Sequence, residues 1–367
     1  MMIEKALQER NLPDLLTMND GQPVTAENWE ARKQELIDCL SRHLFGYTMP
    51  APREVRASLT GSDRYQTYGG KAKSQLIDLS FDTPGGEFTF PIRVVIPKNV
   101  EKPPVFLHIA FSTKYPVPVE EIIDNGFAIV QFHYHDVEKD EVYPDNYFGR
   151  FLGGLGEKFF GGRDRTDTEW GKVGLWAYAA SRVMDYLQTR EDINTERIAV
   201  SGHSRLGKTA LWCKAQDPRF YIAFGNNTNY GGGGLIRGHI GEDVVDFVKK
   251  GSFDFFCKGW KKYLDVPYEQ LPFDQHFLMA CHAPGLVYLA GATEDPGMDP
   301  ESEFLSCCAA SAVYKMLGKK GLVSGEEMPQ PGEVLHEGEI GFHIRQGGHY
   351  LSREDWQHFM AFFKKHL

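Results

Sequence analysis

Apolar positions along the chain fall into blocks of two kinds. Phe88–Ile96, Val105–Phe111, Phe127–His133, Arg197–Ser201, Phe220–Gly225, Leu286–Ala290 and Gly341–Ile344 are alternating or unbroken apolar runs of strand length. Between them apolar residues recur at helical spacing, most clearly Val173, Trp176, Ala177, Ala180, Val183, Met184 and Leu187 on one face. Strands alternating with helices predict the α/β class, a mainly parallel sheet with helices on both faces. Ahead of these blocks, Thr25 is placed to cap a helix carrying Trp29, Leu36, Ile37, Leu40 and Leu44, which Gly46 stops. The expected organisation is a helical extension over residues 1–55 packed on one α/β domain over 56–367. The glycine-rich stretches Gly153–Gly162 and Gly231–Gly234 read as loops between elements.

Composition narrows the class of partner. The 367 residues carry 40 Lys+Arg against 50 Asp+Glu, a formal charge of −10, which argues against nucleic-acid binding driven by bulk charge. No apolar run approaches the about 18 residues of a spanning helix, so no membrane partner is expected. The N-terminal run MMIEKALQERNLPDLL is charged and lacks the apolar stretch of a secretory signal, which predicts a cytoplasmic protein. The 6 cysteines show no CxxC pair, against a disulfide framework or a thiolate metal site, and read as buried reduced thiols.

The segment RIAVSGHSRLGKTALWCKAQ, residues 197–216, supports two chemistries. Gly202, Gly207, Lys208 and Thr209 match the phosphate-binding pattern GxxxxGK[ST] between a strand and a helix, with Lys208 on phosphates and Thr209 on magnesium. Alternatively, Ser204 stands at the apex of a sharp strand-to-helix turn, exposed as a nucleophile. The usual elbow has a second glycine two residues after the serine; here that place is Leu206 and the glycine is Gly207.

The downstream chain favours the elbow. A nucleophilic serine needs an acid after a later strand and then a histidine near the C-terminus. LVYLAGATEDPGMDP places Glu294 and Asp295 in the turn after an apolar strand. GFHIRQGGHYLSREDW places His349 between a last strand and a helix that Ser352 and Asp355 cap. Histidine as base and a carboxylate on its far nitrogen would activate the serine, while the Arg205 amide and guanidinium face the developing oxyanion. Each residue also has a plain structural reading: Ser204 as a helix cap, His349 as a loop histidine, one of Glu294 and Asp295 as a solvated turn residue.

Other features are less pointed. His133 and His135 lie two apart in a strand-like run, on one face; a metal could sit there, although a hydrogen-bonded pair is the simpler reading. The acidic run VEKDEVYPDN reads as a solvated loop. FDFFCKGW, Phe253–Trp260, reads as core, with a sugar-lining role as the alternative.

On the segments GHSRLGKTALW, LPFDQHFLMACHAPGLVYLAGATEDPGMDPESEF and GGHYLSREDW, the chain resembles carbohydrate esterase family fifteen, the glucuronoyl esterases, and related acetylxylan esterase-like proteins. The resemblance runs from about Leu12 to the C-terminus. It implies an α/β-hydrolase fold and metal-free, cofactor-free cleavage of plant cell-wall carbohydrate esters. It implies Ser204 as nucleophile, His349 as base, Arg205 as oxyanion stabiliser and Lys208 on uronate hydroxyls. Many members carry a catalytic glutamate where this chain has Asn227; others carry an aspartate in a segment like EEDxWADP. Glu294, Asp295 and Asp299 match that segment, which makes Asp295 the expected acid and Glu294 the reserve. The tryptophan two residues after that aspartate is Gly297 here.

The expected activity is therefore a serine carboxylic-ester hydrolase acting through an acyl-enzyme on a 4-O-methyl-glucuronoyl methyl ester or an O-acetyl xylo-oligosaccharide. Two alternatives stand beside it: a nucleotide-dependent phosphotransferase built on Gly202–Thr209, and an inactive hydrolase fold that binds ligand, motivated by Asn227.

Overall fold

The structure is a computed structural model that describes residues 3–111, 117–140, 150–242 and 253–367. Its strands are β1 (Arg56–Ser62), β2 (Ala72–Thr83), β3 (Gly86–Pro97), β4 (Val105–Ala110), β5 (Ala128–His133), β6 (Ile198–His203), β7 (Ile222–Asn226), β8 (Leu286–Ala292), β9 (Val334–Leu335) and β10 (Ile340–Arg345). They form one sheet in the order β1-β2-β3-β5-β4-β6-β7-β8-β10-β9. From β5 through β10 the neighbours run parallel, whereas β1, β2, β3 and β9 pair antiparallel at the two flanks.

Alternate residues of the central strands feed two cores. Phe106, Ala199, Phe224 and Tyr288 face one side; Leu107, Val200, Ala223 and Leu289 face the other. The first face is covered by α3 (Val119–Asp124) and by α10 (Arg353–Lys365), whose Phe359 ring packs tilted at 4.7 Å from Phe224. The second is covered by α6 (Lys172–Leu187) and α7 (Arg205–Gln216), which pack on each other. Burying each such ring or branched side chain contributes about 1.5–3 kcal/mol, and because both faces are covered these strands read as solid apolar runs.

Between β5 and α6 lie α4 (Tyr134–Val137) and α5 (Gly154–Phe160). The second of these corrects the expectation that Gly153–Gly162 is only a loop: Leu155 and Phe160 are buried and draw a helical turn out of a glycine-rich run. Further along the chain lie α8 (His276–Ala280) and α9 (Pro300–Met316).

The N-terminal residues join the second core. They form α1 (Ile3–Arg10), α2 (Trp29–Leu40) and one π-turn, Ser41–Phe45, which Gly46 ends at φ +87°. Trp29 donates to Ala283 O at 3.3 Å, and Phe45 stacks 4.2 Å from Trp212. Asn28, not Thr25, precedes the first turn of α2; its Oδ1 accepts the Thr25 amide at 2.7 Å. Both β1 and β2 went unread. In β2, Ile77, Leu79 and Phe81 are buried at every second position among polar neighbours, a period that a search for apolar blocks passes over. No helix among the described residues is long and apolar enough to cross a membrane.

Candidate active site

Because β6, β7, β8 and β10 are adjacent and parallel, the residues that follow them emerge on one edge of the sheet. Ser204 follows β6, Asn227 follows β7, Asp295 lies beyond β8 and His349 beyond β10. Ser204 turns the chain from β6 into α7 at φ +55°, ψ −127°, a conformation costing about 1–3 kcal/mol that the packing around it must hold. Gly202 makes the turn possible, since a Cβ there would come within 2.1 Å of Leu206 O. Gly207 lets α7 close on Thr228, whose Cγ2 would be 2.6 Å from a Cβ.

Across the cavity, His349 Nδ1 lies 2.7 Å from Asp295 Oδ2, and the same oxygen accepts Asn227 Nδ2 at 2.5 Å. Burial would push the Asp295 carboxyl up, but the hydrogen bonds from His349 and Asn227 bring it below its ordinary value, so it is a carboxylate. Glu294 does not reach the histidine: it is exposed and accepts from Gln346 Nε2 at 3.4 Å. Asp299 is buried as the cap of α9, holding Ser302 and the Ile240 amide. Behind His349, the His203 ring packs at 4.4 Å; burial, then the charge of His349, pushes it down to about 4.

Ser204, Arg205, Asp295 and His349 line one cavity of about 380 Å³, together with Lys208, Glu242, Phe255, Phe256, Gly297 and Met298. The Arg205 guanidinium stacks over Phe255 at 5.0 Å and Phe111 at 5.8 Å and pairs with Asp140, which also meets Lys172 at 3.5 Å. Lys208 is buried, donates to Tyr230 O at 2.7 Å, and is pushed down to about 8 by that burial. A Cβ on Gly297 would meet nothing within 4 Å among the described residues.

This geometry corrects several expectations. The phosphate-loop reading fails because α7 already starts at Arg205 and Thr209, fully buried, donates to Arg205 O at 2.9 Å. His133 ends β5 whereas His135 lies in α4, so the two do not share a strand face; among the described residues no cluster of three metal-ligating side chains occurs. The acidic run is not simply solvated: Glu138 is buried, accepts Gly156 N at 2.7 Å and is pushed up to about 8 by burial. Its residues from 141 onward lie outside the described residues. Phe255 and Phe256 line the cavity while Trp260 packs in the core on Tyr263 and Phe273. The thiols are all free, and Cys39 and Cys308 are only half-buried.

A family model described as glucuronyl esterase of fungi matches residues 80–318. The chain belongs to the glucuronyl esterase family. A carbohydrate esterase from an unknown prokaryotic organism is 29% identical over 99% of this chain and 91% of its own. A 4-O-methyl-glucuronoyl methylesterase of Schizophyllum commune is 28% identical over 84% of this chain and 74% of its own. Among solved structures, a glucuronoyl esterase from Solibacter usitatus superposes with a TM-score of 0.85 at 29% identity, covering 96% of this chain and 97% of that one. A family-fifteen glucuronoyl esterase from Teredinibacter turnerae gives 0.88 at 26%, covering 98% and 90%.

This member of the family is thus a carboxylic-ester hydrolase with the α/β-hydrolase fold that the resemblance implied. Three of its site features went unread in the sequence. Asn227, which stands where many members carry a glutamate, hydrogen-bonds Asp295. Asp140 pairs with Arg205 across 65 positions of chain, a contact with no local signal. Glu303, on α9, accepts the Thr228 amide, the Thr228 hydroxyl and the Asn229 amide at 2.6, 2.6 and 2.9 Å, holding the turn that presents Asn227; burial pushes it up to about 7.

Proposed function

We propose that this glucuronyl esterase hydrolyses a carbohydrate ester, a 4-O-methyl-glucuronoyl methyl ester or an O-acetyl xylo-oligosaccharide, with Ser204 as nucleophile, His349 as base and Asp295 as the acid that orients it. The observation that carries the reading is the 2.7 Å contact between His349 Nδ1 and Asp295 Oδ2, in a cavity that Ser204 lines. With Nδ1–H donated to the carboxylate, Nε2 keeps its lone pair for the serine proton. Ser204 Oγ then bonds the ester carbon, and the proton passes through His349 to the departing alcohol. Water, deprotonated by the same nitrogen, attacks the acyl-enzyme and restores the serine with release of the acid.

Arg205, first residue of α7, supplies an amide at a helix N-terminus and a guanidinium beside it, both suited to a developing oxyanion. Lys208 is held against Tyr230, able to donate to sugar hydroxyls from the cavity wall. Gly297 puts no side chain on its part of the cavity lining, which keeps small acetyl esters beside uronoyl esters as candidate substrates.

The test is hydrolysis of methyl glucuronate and p-nitrophenyl acetate by the wild type and by Ser204→Ala. Loss of both activities is expected; full activity in the alanine variant would remove the nucleophile assignment. A screen of acetylated and methyl-esterified uronate oligosaccharides then separates the two acyl classes.

A further inference from the structure

The loop that carries His349 is wrapped around a buried guanidinium. Arg345, the last residue of β10, is 4% exposed. Its Nη1 donates to Gln346 O at 3.1 Å, and its Nη2 donates to Gly348 O at 3.2 Å and to Tyr350 O. The carbonyls on both sides of His349 therefore end on one nitrogen. On its other edge, Nε donates to Asp355 Oδ2 at 2.8 Å. Asp355 is fixed in turn by His343 Nε2 at 2.9 Å, by the Ser352 amide at 2.6 Å and by its place in the first turn of α10.

Two further contacts show how closely the loop is built on that group. Gly347 has φ +112°, and a Cβ there would lie 2.9 Å from Arg345 Nη1. The loop backbone is also tied to the loop of Asp295: Thr293 N donates to Arg345 O at 3.0 Å and Glu294 N to Gly347 O at 2.9 Å. Acid and base loops are registered against each other before their side chains meet.

We propose that Arg345 is a positioning residue for His349, setting the height and orientation of the imidazole through the Gly348 and Tyr350 carbonyls. The proposal rests on the reading of His349 as the base. Arg345 does not line the cavity, so its effect on the reaction passes through the loop alone. A planar fork of donors can serve several acceptors at fixed angles; a lysine ammonium keeps the charge but is a point donor on a flexible stem. Misplacing a reacting group by about 1 Å costs on the order of 100-fold in rate.

The experiment measures kcat and KM for methyl glucuronate in Arg345→Lys, Gly347→Ala and His349→Ala, with circular dichroism to normalise to folded protein. Expected for the first two is a kcat lower by about 10–100-fold with KM within a few-fold of wild type, because bound substrate meets an unshifted cavity and a displaced base. Acylation and deacylation should slow together in the pre-steady state, since the same imidazole serves both. Wild-type kcat per folded molecule in Arg345→Lys overturns the proposal even if its Tm falls. Should that variant not fold, Gly347→Ala decides in the same way, because it disturbs the loop without removing the buried cation. Wild-type activity in His349→Ala overturns the reading of the base itself, a separate failure.

Discussion

Asp295 Oδ2 accepts both His349 Nδ1 and Asn227 Nδ2, and these donors outweigh the burial that would otherwise raise the carboxyl. Two variants follow at this scale. Asp295→Asn keeps the shape but offers His349 no charge and the wrong tautomer partner, so kcat for methyl glucuronate should fall by about 10⁴-fold. Glu294→Gln, on an exposed side chain that faces Gln346, should stay within a few-fold of wild type in the same assay. Asn227→Asp replaces a donor 2.5 Å from Asp295 with a second carboxylate, and the pair will share a proton. Its lower kinetic pKa should therefore rise, moving the acid limb of the kcat profile toward neutral pH; an unmoved limb would separate Asn227 from the reacting acid. Ser204 and His349 stand out in the sequence because each follows a strand, in the order a nucleophile and its base would take. The sequence could not show the work of Asn227, because an amide after a strand has no signature until its partner arrives from position 295.

At the scale of elements, the site depends on how α7 and α9 press on strand ends. A Cβ at Gly202 would meet Leu206 O at 2.1 Å and Leu206 C at 2.3 Å, both backbone atoms that cannot rotate away. Gly202→Ala should cost about 3 kcal/mol, the upper part of the overpacking range, read as a lower urea midpoint, and should depress activity through the displaced Ser204. Glu303 lies on α9 and clamps the turn after β7 through a single oxygen. With its folded pKa about 7 against an ordinary 4.5, the folded chain binds the extra proton between those values. Stability from this group is therefore lost as pH rises through that window. Glu303→Gln keeps the carbonyl acceptor without the charge, so its midpoint should exceed the wild type at pH 8 and match it near pH 4.5. Glu303→Ala, which frees Thr228 and Asn229, should lower kcat. The elbow segment was readable from GHSRLGK, and the downstream carboxylates and histidine already favoured it over a phosphate loop; the structure adds that α7 begins one residue after the serine.

For the whole molecule, buried and half-buried histidines add to acid lability. His43, His203 and His336 are pushed down to about 4, His108 to about 3 and His282 well below its ordinary value, burial being the first cause in each. Below the ordinary value of 6.5 the unfolded chain takes up protons that the folded one refuses, so their contribution is lost as pH falls. Glu138 and Glu303 act with the opposite sign but are fewer. Tm should therefore be lower at pH 4.5 than at pH 6.5; an unchanged Tm would mean that the folded chain takes up these protons as readily as the unfolded one. The sequence by itself determined the α/β class, the central strands and the placing of Ser204, Asp295 and His349 after successive strands, because strand burial on both faces writes solid apolar runs and loops follow them. Tertiary structure alone decided which carboxylate meets His349, that Arg205 pairs with Asp140, and that Arg345 underlies the histidine loop. The first two are contacts between residues brought together by parallel strands and crossover helices, and the third depends on a local backbone path around a buried guanidinium; no pattern of side chains along the chain encodes either.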